Sequence, residues 1–295
     1  MSRELEKLID RADQLLARFE ATLPRPQPAP DWKKTIAFRW RKRGTTGFLQ
    51  PVAHPHRIKL TDLQGIDDQI KLVEQNTRQF MEGLTANHVL LTGARGTGKS
   101  SMVKALLSKF SSKGLRLIEV DKQDLTDLPD IVDMVADAPC KFLLFCDDLS
   151  FDADEPGYKA LKVILDGSIS ATSENLLIYA TSNRRHLMPE FMQENLETKY
   201  LGEEIHPGET VEEKISLSER FGLWVSFYPF DQNEYLTIVE YWLGELGVAG
   251  RDRGTQARNE ALQWALTRGS RSGRVAWHFA RDWAGRHKLT TSKKS

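Results

Sequence analysis

A glycine-rich stretch constrains the fold of this chain more than any other part of it. It reads Gly93-Ala94-Arg95-Gly96-Thr97-Gly98-Lys99-Ser100. An apolar, β-branched run precedes it at residues 88–92, and residues 101–107 follow it with their apolar positions on one side of a helix. A strand, a glycine loop and a helix in this order direct backbone N–H groups and the positive end of a helix dipole at one point. The spacing is that of a phosphate-binding P-loop.

The residues of this loop have separate expected parts in binding a triphosphate. Backbone N–H groups from Gly93 to Ser101 would surround the phosphates. Lys99 would reach the β- and γ-phosphates, and the Ser100 hydroxyl would bind Mg²⁺. The alternative is a chance glycine-rich turn, but the flanking strand and helix favour the binding loop.

A second apolar run, residues 142–146, is followed directly by Asp147 and Asp148. In an open α/β sheet, a buried strand delivers the residues at its carboxyl end to the crevice where ligands bind. We therefore expect Asp147 to hold Mg²⁺, and Asp148 to orient or deprotonate the attacking water. The alternative is a strand that simply ends in turn residues.

A third apolar run, residues 176–180, ends in Thr181, Ser182 and Asn183. We expect this strand to lie between the strand before the glycine loop and the strand before Asp147, so that its end touches the γ-phosphate or the water. An amide positions water without titrating, which makes Asn183 the first choice for this contact and Thr181 the second. The alternative is a turn-favouring asparagine.

Two arginines are candidates for contacts with phosphate charge. Arg220 ends a predicted helix at the edge of the domain, where an arginine can reach the γ-phosphate of a neighbouring subunit as an arginine finger. Arg274 lies in the first turn of another predicted helix and could reach back to the nucleotide, with Arg271 as its rival. Taken alone, each is more typical of a solvated surface.

Strands and helices alternate between residues 60 and 230. The predicted strands are residues 88–92, 115–120, 142–147, 175–181 and 224–229, and the predicted helices are 62–81, 99–112, 128–136, 157–167, 186–192 and 210–221. This alternation indicates a parallel sheet covered on both faces. Beyond Phe230 only helices are predicted, the first capped by Asp231. We therefore predict an α/β fold with a five-stranded parallel sheet in domain 60–230 and a small helical lid in domain 231–295.

Two segments precede this alternation. Residues 1–30 combine an amphipathic helix at 2–22 with a proline-rich linker, and the apolar stripe of the helix needs a partner in its own body or in another subunit. Residues 31–59, which we call the basic-aromatic segment, hold eight Lys or Arg against one acid, with aromatic residues between them. A nucleic-acid surface has this composition. The favoured interpretation is a strand or loop with its rings in the core and its cations in water.

Composition limits the class of protein. The 295 residues include 41 basic and 41 acidic side chains, so net charge indicates no partner, although residues 251–295 hold eleven basic residues against three acidic ones. Two cysteines, Cys140 and Cys146, fall at or inside a predicted core strand, as suits a reducing compartment. The start of the chain lacks the apolar core of a signal peptide, and no apolar run is long enough to span a membrane. We expect a cytoplasmic protein without membrane insertion.

These motifs occur in the order found in AAA+ ATPases, a superfamily that the chain resembles from about residue 58 to about residue 285. The segment Leu63-Gln64-Gly65-Ile66-Asp67 looks like the one that frames the adenine. Asp147 is similar to the Walker B acid that binds magnesium, Asn183 to sensor 1 and Arg274 to sensor 2. The sequence Ser218-Glu219-Arg220-Phe221 is similar to the finger motif of bacterial initiators and helicase loaders.

The resemblance implies a P-loop NTPase fold of the AAA+ type, with ATP and Mg²⁺ as cofactors. It also implies ATP hydrolysis and a homo-oligomer in which Arg220 completes the site of a neighbouring subunit. Longer phrases, at residues 37–41, 54–57, 145–151 and 179–187, look like one bacterial AAA+ family catalogued as a domain of unknown function. That family implies fold and chemistry but no pathway.

One departure from the AAA+ pattern bears on the activity. The Walker B strand of AAA+ proteins usually ends in Asp-Glu, with the glutamate as catalytic base, whereas this strand ends in Asp147-Asp148. Aspartate is one methylene shorter, so the water must sit closer or a second water must bridge. Two functions therefore stay open. One is an ATPase that remodels or loads a protein or nucleic-acid client, and the other is an ATP-gated binding switch with little turnover.

Overall fold

The computed structural model describes residues 9, 11–16, 18, 29–44, 46–151, 155–166, 174–183, 199–201, 204–206 and 217–292. The chain forms two compact units, Met1–Asp31 and Trp32–Ser295. Of the helix predicted at residues 2–22, the structure describes residues 9, 11–16 and 18, which are helical. The predicted helix at 186–192 lies outside the described residues, as does most of the one at 210–221.

A seven-stranded sheet organises the second unit, with the order β2-β1-β4-β5-β6-β3-β9. Its strands are β1 (Ala37–Arg43), β2 (Thr46–Pro51), β3 (Val89–Gly93), β4 (Leu115–Glu119), β5 (Lys141–Cys146), β6 (Leu176–Ser182) and β9 (Leu223–Phe227). A separate two-stranded antiparallel sheet consists of β7 (Lys199–Leu201) and β8 (Glu204–His206).

Five of the seven strands are those predicted from the sequence. They run in the order β9-β3-β6-β5-β4, and every pairing among them is parallel. The expected position of β6, between β3 and β5, is confirmed. The predicted count of five strands is too low, because the basic-aromatic segment adds β1, parallel to β4, and β2, antiparallel to β1.

The aromatic rings of β1 explain why this segment joins the sheet. Phe38 and Trp40 lie on one face of the strand and are each only 1% exposed. The indole N–H of Trp40 donates to Asp127 Oδ2 at 2.8 Å. Because successive side chains of a strand point to opposite faces, Arg39 and Arg41 lie on the other side, whereas Lys42 shares the face of Trp40 and contacts the same Asp127 oxygen. Of the two forms expected for this segment, a strand or a loop with buried rings, the structure shows the strand.

The cations of β1 pair with acids within the chain. The pairs are Arg39–Glu119 at 2.7 Å, Arg41–Asp121 at 2.8 Å and Lys42–Asp127 at 2.8 Å. All three acids belong to β4 or to the residues that follow it. Exposed pairs of this kind contribute little to stability, roughly 0–1 kcal/mol each. They do engage three of the cations that a nucleic-acid surface would need.

Helices cover both faces of the sheet. They are α1 (Asp67–Met81), α2 (Lys99–Phe110), α3 (Leu128–Val135) and α4 (Pro156–Leu165). Alternate residues of β5 point to opposite faces: Phe145 joins the hydrophobic cluster of α1 and α2, whereas Leu144 joins that of α3 and α4. With both faces packed, the polar residues that follow the parallel strands gather at the carboxyl edge of the sheet.

Three C-terminal helices, which we call the lid helices, follow β9: α5 (Gln232–Glu245), α6 (Thr255–Arg268) and α7 (Gly273–Ser292). Asp231 caps α5 as predicted: its carboxylate accepts a hydrogen bond from the Glu234 N–H, and the Glu234 carboxylate accepts one from the Asp231 N–H. Buried lid residues such as Tyr235 and Phe279 belong to the same hydrophobic cluster as those of α1 and α2. No helix in the described part of the chain has the length and apolar character needed to cross a membrane.

Candidate nucleotide-binding site

The glycine-rich loop joins β3 to α2 and passes through a narrow space. A Cβ on Gly93 would lie 1.9 Å from the carbonyl oxygen of Phe227 on β9. A Cβ on Gly96 would lie 2.8 Å from the hydroxyl oxygen of Ser272, just before lid helix α7. Both residues also have positive φ, 122° and 76°. Glycine is therefore required for the loop to run between the sheet and the lid.

Lys99, at the start of α2, is the cation at the centre of the loop. Its ammonium donates to the carbonyl oxygens of Gly93 (2.8 Å) and Ala94 (2.7 Å) and to Asn183 Oδ1 (3.1 Å). The residue is 6% exposed. Burial lowers the pKa of Lys99 to about 8, although the charges of Asp148 and Asp147 act in the opposite direction. An anion beside this ammonium would stabilise its charged form.

Asp147 lies directly beside the loop. Its Oδ1 accepts hydrogen bonds from the Ser100 hydroxyl and from the Thr181 hydroxyl, each at 2.6 Å. Ser100 on α2 and Asp147 after β5, the two residues assigned to magnesium from the sequence, are thus in direct contact. The register of β5 and β6, which pairs Cys146 with Ala180, explains why Asp147 and Thr181 are neighbours.

Asp148 and Asn183 contact each other in the same site. The Asn183 amide donates to Asp148 Oδ1, and its own oxygen accepts from Lys99. Asp148 has a left-handed backbone, with φ of 53°, and its N–H donates to the Thr181 hydroxyl oxygen at 2.9 Å. Lysine, amide and carboxylate therefore form one continuous chain of hydrogen bonds.

A cavity of about 860 Å³ brings these side chains together. Its lining includes loop residues Arg95 to Ser101 with Asp147, Asp148 and Asn183. It also includes apolar and aromatic side chains, namely Leu63, Ile66, Ile238, Trp242 and Trp277. Charged and aromatic side chains in one cavity suit a ligand that carries both phosphates and a planar base.

The oxygen donors that line the cavity fit a magnesium ion. Mg²⁺ prefers oxygen ligands and is commonly held by one or two carboxylates together with substrate phosphates. The Ser100 hydroxyl and the Asp147 carboxylate supply such oxygens. Among the described residues, no group of three or more His, Cys, Asp or Glu could hold a metal ion by itself. The arrangement therefore suits a metal that arrives with a phosphate ligand.

The structure separates the three arginines. Arg274 lines the cavity, in the first turn of α7, whereas Arg271 lies on a neighbouring groove between the loop and α6. Arg220 is not among the residues that line the cavity and forms an ion pair with Asp166, which follows α4. Gly93 and Ala94 do not line the cavity either, but their carbonyl groups bind Lys99.

Sequence reasoning missed the two tryptophans that line the cavity, Trp242 and Trp277. The Trp242 and Trp277 rings meet edge to face, with centroids 4.6 Å apart, across helices α5 and α7. The neighbouring Tyr241 hydroxyl donates to Asp62 Oδ1 at 2.8 Å and so ties α5 to the segment ahead of α1. Trp277 follows Arg274 by three positions and shares its helix face. That spacing was the one signal by which Trp277 could have been assigned to the site. Aromatic residues on one face of a helix, however, are equally typical of a hydrophobic core.

The profile of one protein family, described as "Protein of unknown function (DUF815)", matches residues 33–287. The chain belongs to the DUF815 family. This agrees with the resemblance seen in its motifs. No curated protein matches the sequence of this DUF815 chain.

Two solved structures are similar in fold to the DUF815 chain. A proline-to-glycine mutant of Thermotoga maritima RuvB is 17% identical with a TM-score of 0.51, and the match covers 81% of this chain and 68% of that one. The Aeropyrum pernix Orc1 protein, solved in complex with DNA, is 15% identical with a TM-score of 0.51, over 73% and 58% of the two chains. The chain spans 66% of the length of a second RuvB mutant, in which a valine replaces a threonine. At these identities the likeness concerns the fold alone, which is that of the AAA+ P-loop NTPases.

Proposed function

We propose that this DUF815 protein binds Mg-ATP in the described cavity and hydrolyses it. The observation that carries the proposal is the meeting of Lys99, Ser100 and Asp147 at the end of the glycine loop, with the Ser100–Asp147 contact at 2.6 Å. Loop N–H groups and Lys99 would hold the phosphates, and Ser100 and Asp147 would hold magnesium. When bound, Mg²⁺ neutralises phosphate charge. The test is titration calorimetry with ATP, in which magnesium is expected to raise the affinity.

The remaining residues of the site supply the hydrolytic step. Asp148 accepts a proton from the attacking water or orients it, and Asn183 positions that water beside the γ-phosphate. Arg274 reaches the phosphates from the lid. Trp242 and Trp277 give the base an aromatic wall.

Affinity for Mg-ATP is expected to fall as the pH rises above about 8. The Lys99 ammonium has a pKa of about 8 in the free protein, and a bound triphosphate raises it. Binding therefore takes up a proton at high pH, and affinity falls towards about tenfold per pH unit once Lys99 is neutral. Below about pH 7 the lysine is already charged and this dependence disappears. Calorimetry in buffers of different ionisation enthalpy measures the proton uptake directly. An affinity that does not change with pH would contradict the role of Lys99.

Arg220 is proposed to complete the site of a neighbouring copy in a homo-oligomer. It lies outside the cavity of its own chain, as an arginine that acts on another subunit must. Arg220→Ala is expected to lower turnover by about 10², the usual cost of removing one donor to transition-state charge, and to leave ATP affinity nearly unchanged. Arg258→Ala, which removes another arginine from an ion pair, on α6, is the matched control. Turnover per protomer that stays constant across protein concentrations would contradict an action between subunits.

The client is proposed to be a macromolecule, a protein or a nucleic acid that the ATPase remodels or loads. The second candidate is an ATP-gated binding switch with negligible turnover. The short acid at 148, held by the Asn183 amide, favours slow hydrolysis and therefore this second candidate. Steady-state turnover, measured with and without DNA or candidate proteins, separates the two. Stimulation by a client supports remodelling, whereas client binding that requires ATP but not its hydrolysis supports the switch.

A further inference from the structure

We infer that Thr181 is the positioning residue of this site: one hydroxyl group fixes both the metal-binding acid and the hydrolytic acid. The inference rests on the proposed function. Thr181 lies near the end of β6 and is 2% exposed. Its hydroxyl lies 2.6 Å from Asp147 Oδ1 and 2.9 Å from the backbone nitrogen of Asp148.

The direction of these two hydrogen bonds follows from the chemistry of the groups. The backbone nitrogen of Asp148 can only donate, so the Thr181 oxygen accepts from it. The single hydroxyl proton of Thr181 is then used toward the carboxylate of Asp147, which as an anion can only accept. The hydroxyl is therefore a fixed link between two consecutive acids, with its proton committed to one side.

This link determines which oxygen of Asp147 faces a metal. Oδ1 accepts from both Ser100 and Thr181. Among the described residues, no hydrogen bond reaches Oδ2. Two donors on the same oxygen set the rotation of the carboxylate and leave Oδ2 available to a cation or its water. When Ser100 turns its hydroxyl to magnesium, Thr181 is the donor that still holds Asp147 in place.

The same hydroxyl supports the unusual backbone of Asp148. A left-handed conformation is unfavourable for a residue with a side chain, although aspartate tolerates it better than most. The bond from the Asp148 N–H to Thr181 Oγ1 stabilises it, and the next N–H, of Leu149, donates to the carbonyl oxygen of Thr181 at 2.7 Å. Thr181 therefore holds residues 147 to 149 through its side chain and its main chain together.

The test compares variants that differ mainly in this hydroxyl. Thr181→Val replaces it with a methyl group of similar size, and Thr181→Ser retains it. We expect Thr181→Val to raise the Mn²⁺ concentration needed to occupy the site by about 10–100-fold, as loss of a group that orients a metal ligand commonly does. Mn²⁺ binding is measured by electron paramagnetic resonance with a non-hydrolysable ATP analogue present. Affinity for the analogue in EDTA should stay unchanged, and Thr181→Ser should stay close to the wild type.

Three outcomes would overturn the inference. They are Mn²⁺ binding by Thr181→Val equal to that of the wild type, an equal loss in Thr181→Ser, and a loss of analogue affinity in EDTA as large as the loss with Mn²⁺. If Thr181→Val does not fold, Thr181→Ala and Thr181→Ser form a second pair that differs in the hydroxyl alone, and equal Mn²⁺ binding by these two would also overturn it. A wild-type protein that binds no nucleotide with Mn²⁺ or Mg²⁺ would instead refute the proposed function.

Discussion

Lys99→Ala is expected to abolish measurable binding of Mg-ATP. Lys99 is buried, its ammonium is charged at neutral pH, and it lies where the β- and γ-phosphates would sit in the proposed complex. Removing one member of a buried charge pair costs about 3–5 kcal/mol, which corresponds to a loss of affinity of at least about 100-fold. Titration calorimetry with ATP and magnesium, at protein concentrations that detect the wild-type complex, measures the loss.

The matched control is Lys104→Ala. Lys104 lies on the same helix, α2, but does not line the cavity. The Lys104→Ala variant should bind ATP with the affinity of the wild type. Unchanged ATP affinity in Lys99→Ala, with an unfolding midpoint close to that of the wild type, would refute the assignment of the site.

Asp148→Asn is expected to bind ATP normally and to hydrolyse it about 10³-fold more slowly. The amide oxygen of asparagine can still accept the hydrogen bond from Asn183, so the surroundings are preserved. An amide cannot take the proton of the attacking water, and general-base catalysis commonly contributes about 10²–10⁴ to the rate. The variant should therefore retain ATP through gel filtration, whereas the wild type should release ADP.

Asp133→Asn is the control for this change, because Asp133 is an exposed acid of α3 outside the cavity. Turnover by Asp148→Asn at the wild-type rate would contradict the role of Asp148 and would direct attention to the orientation of water by Asn183. The ATP-bound variant is also the best bait for a client. A protein or nucleic acid that co-purifies with it, and is released when ATP is removed, would identify the class of partner.

The parallel core of the sheet could be predicted from the sequence because its signals are local. Each of the five predicted strands is an apolar run bounded by helical patterns. The β1–β2 hairpin was harder to predict. Trp40 reaches its hydrogen-bond partner, Asp127, across 87 positions of sequence. A contact over that distance leaves no local pattern, so the alternation of rings and cations supported two interpretations.

The candidate site, like the sheet, could be predicted only where the signal is local. The loop, Asp147 and Asn183 could be placed because strand ends in a parallel sheet converge, and Arg274 because it begins a helix after a loop. The proposed role of Thr181 could not be predicted, because it depends on the register between β5 and β6. That register decides which residues of the two strands are neighbours. The position of Trp242 and Trp277 in the cavity could not be predicted either, because it depends on the angle at which α5 and α7 pack. Periodicity identifies the buried face of a helix but does not determine that angle.

The left-handed backbone at residue 148 has a consequence for protein engineering. Aspartate tolerates this conformation because its short side chain can hydrogen-bond to the nearby main chain, a benefit that the extra methylene of glutamate weakens. Replacing Asp148 by the glutamate usual in AAA+ ATPases would therefore bring the carboxylate closer to the water but destabilise the turn that holds it. The choice of acid and the shape of the main chain have to be redesigned together, which makes Asp148 a poor position for a single substitution intended to speed the proposed hydrolysis.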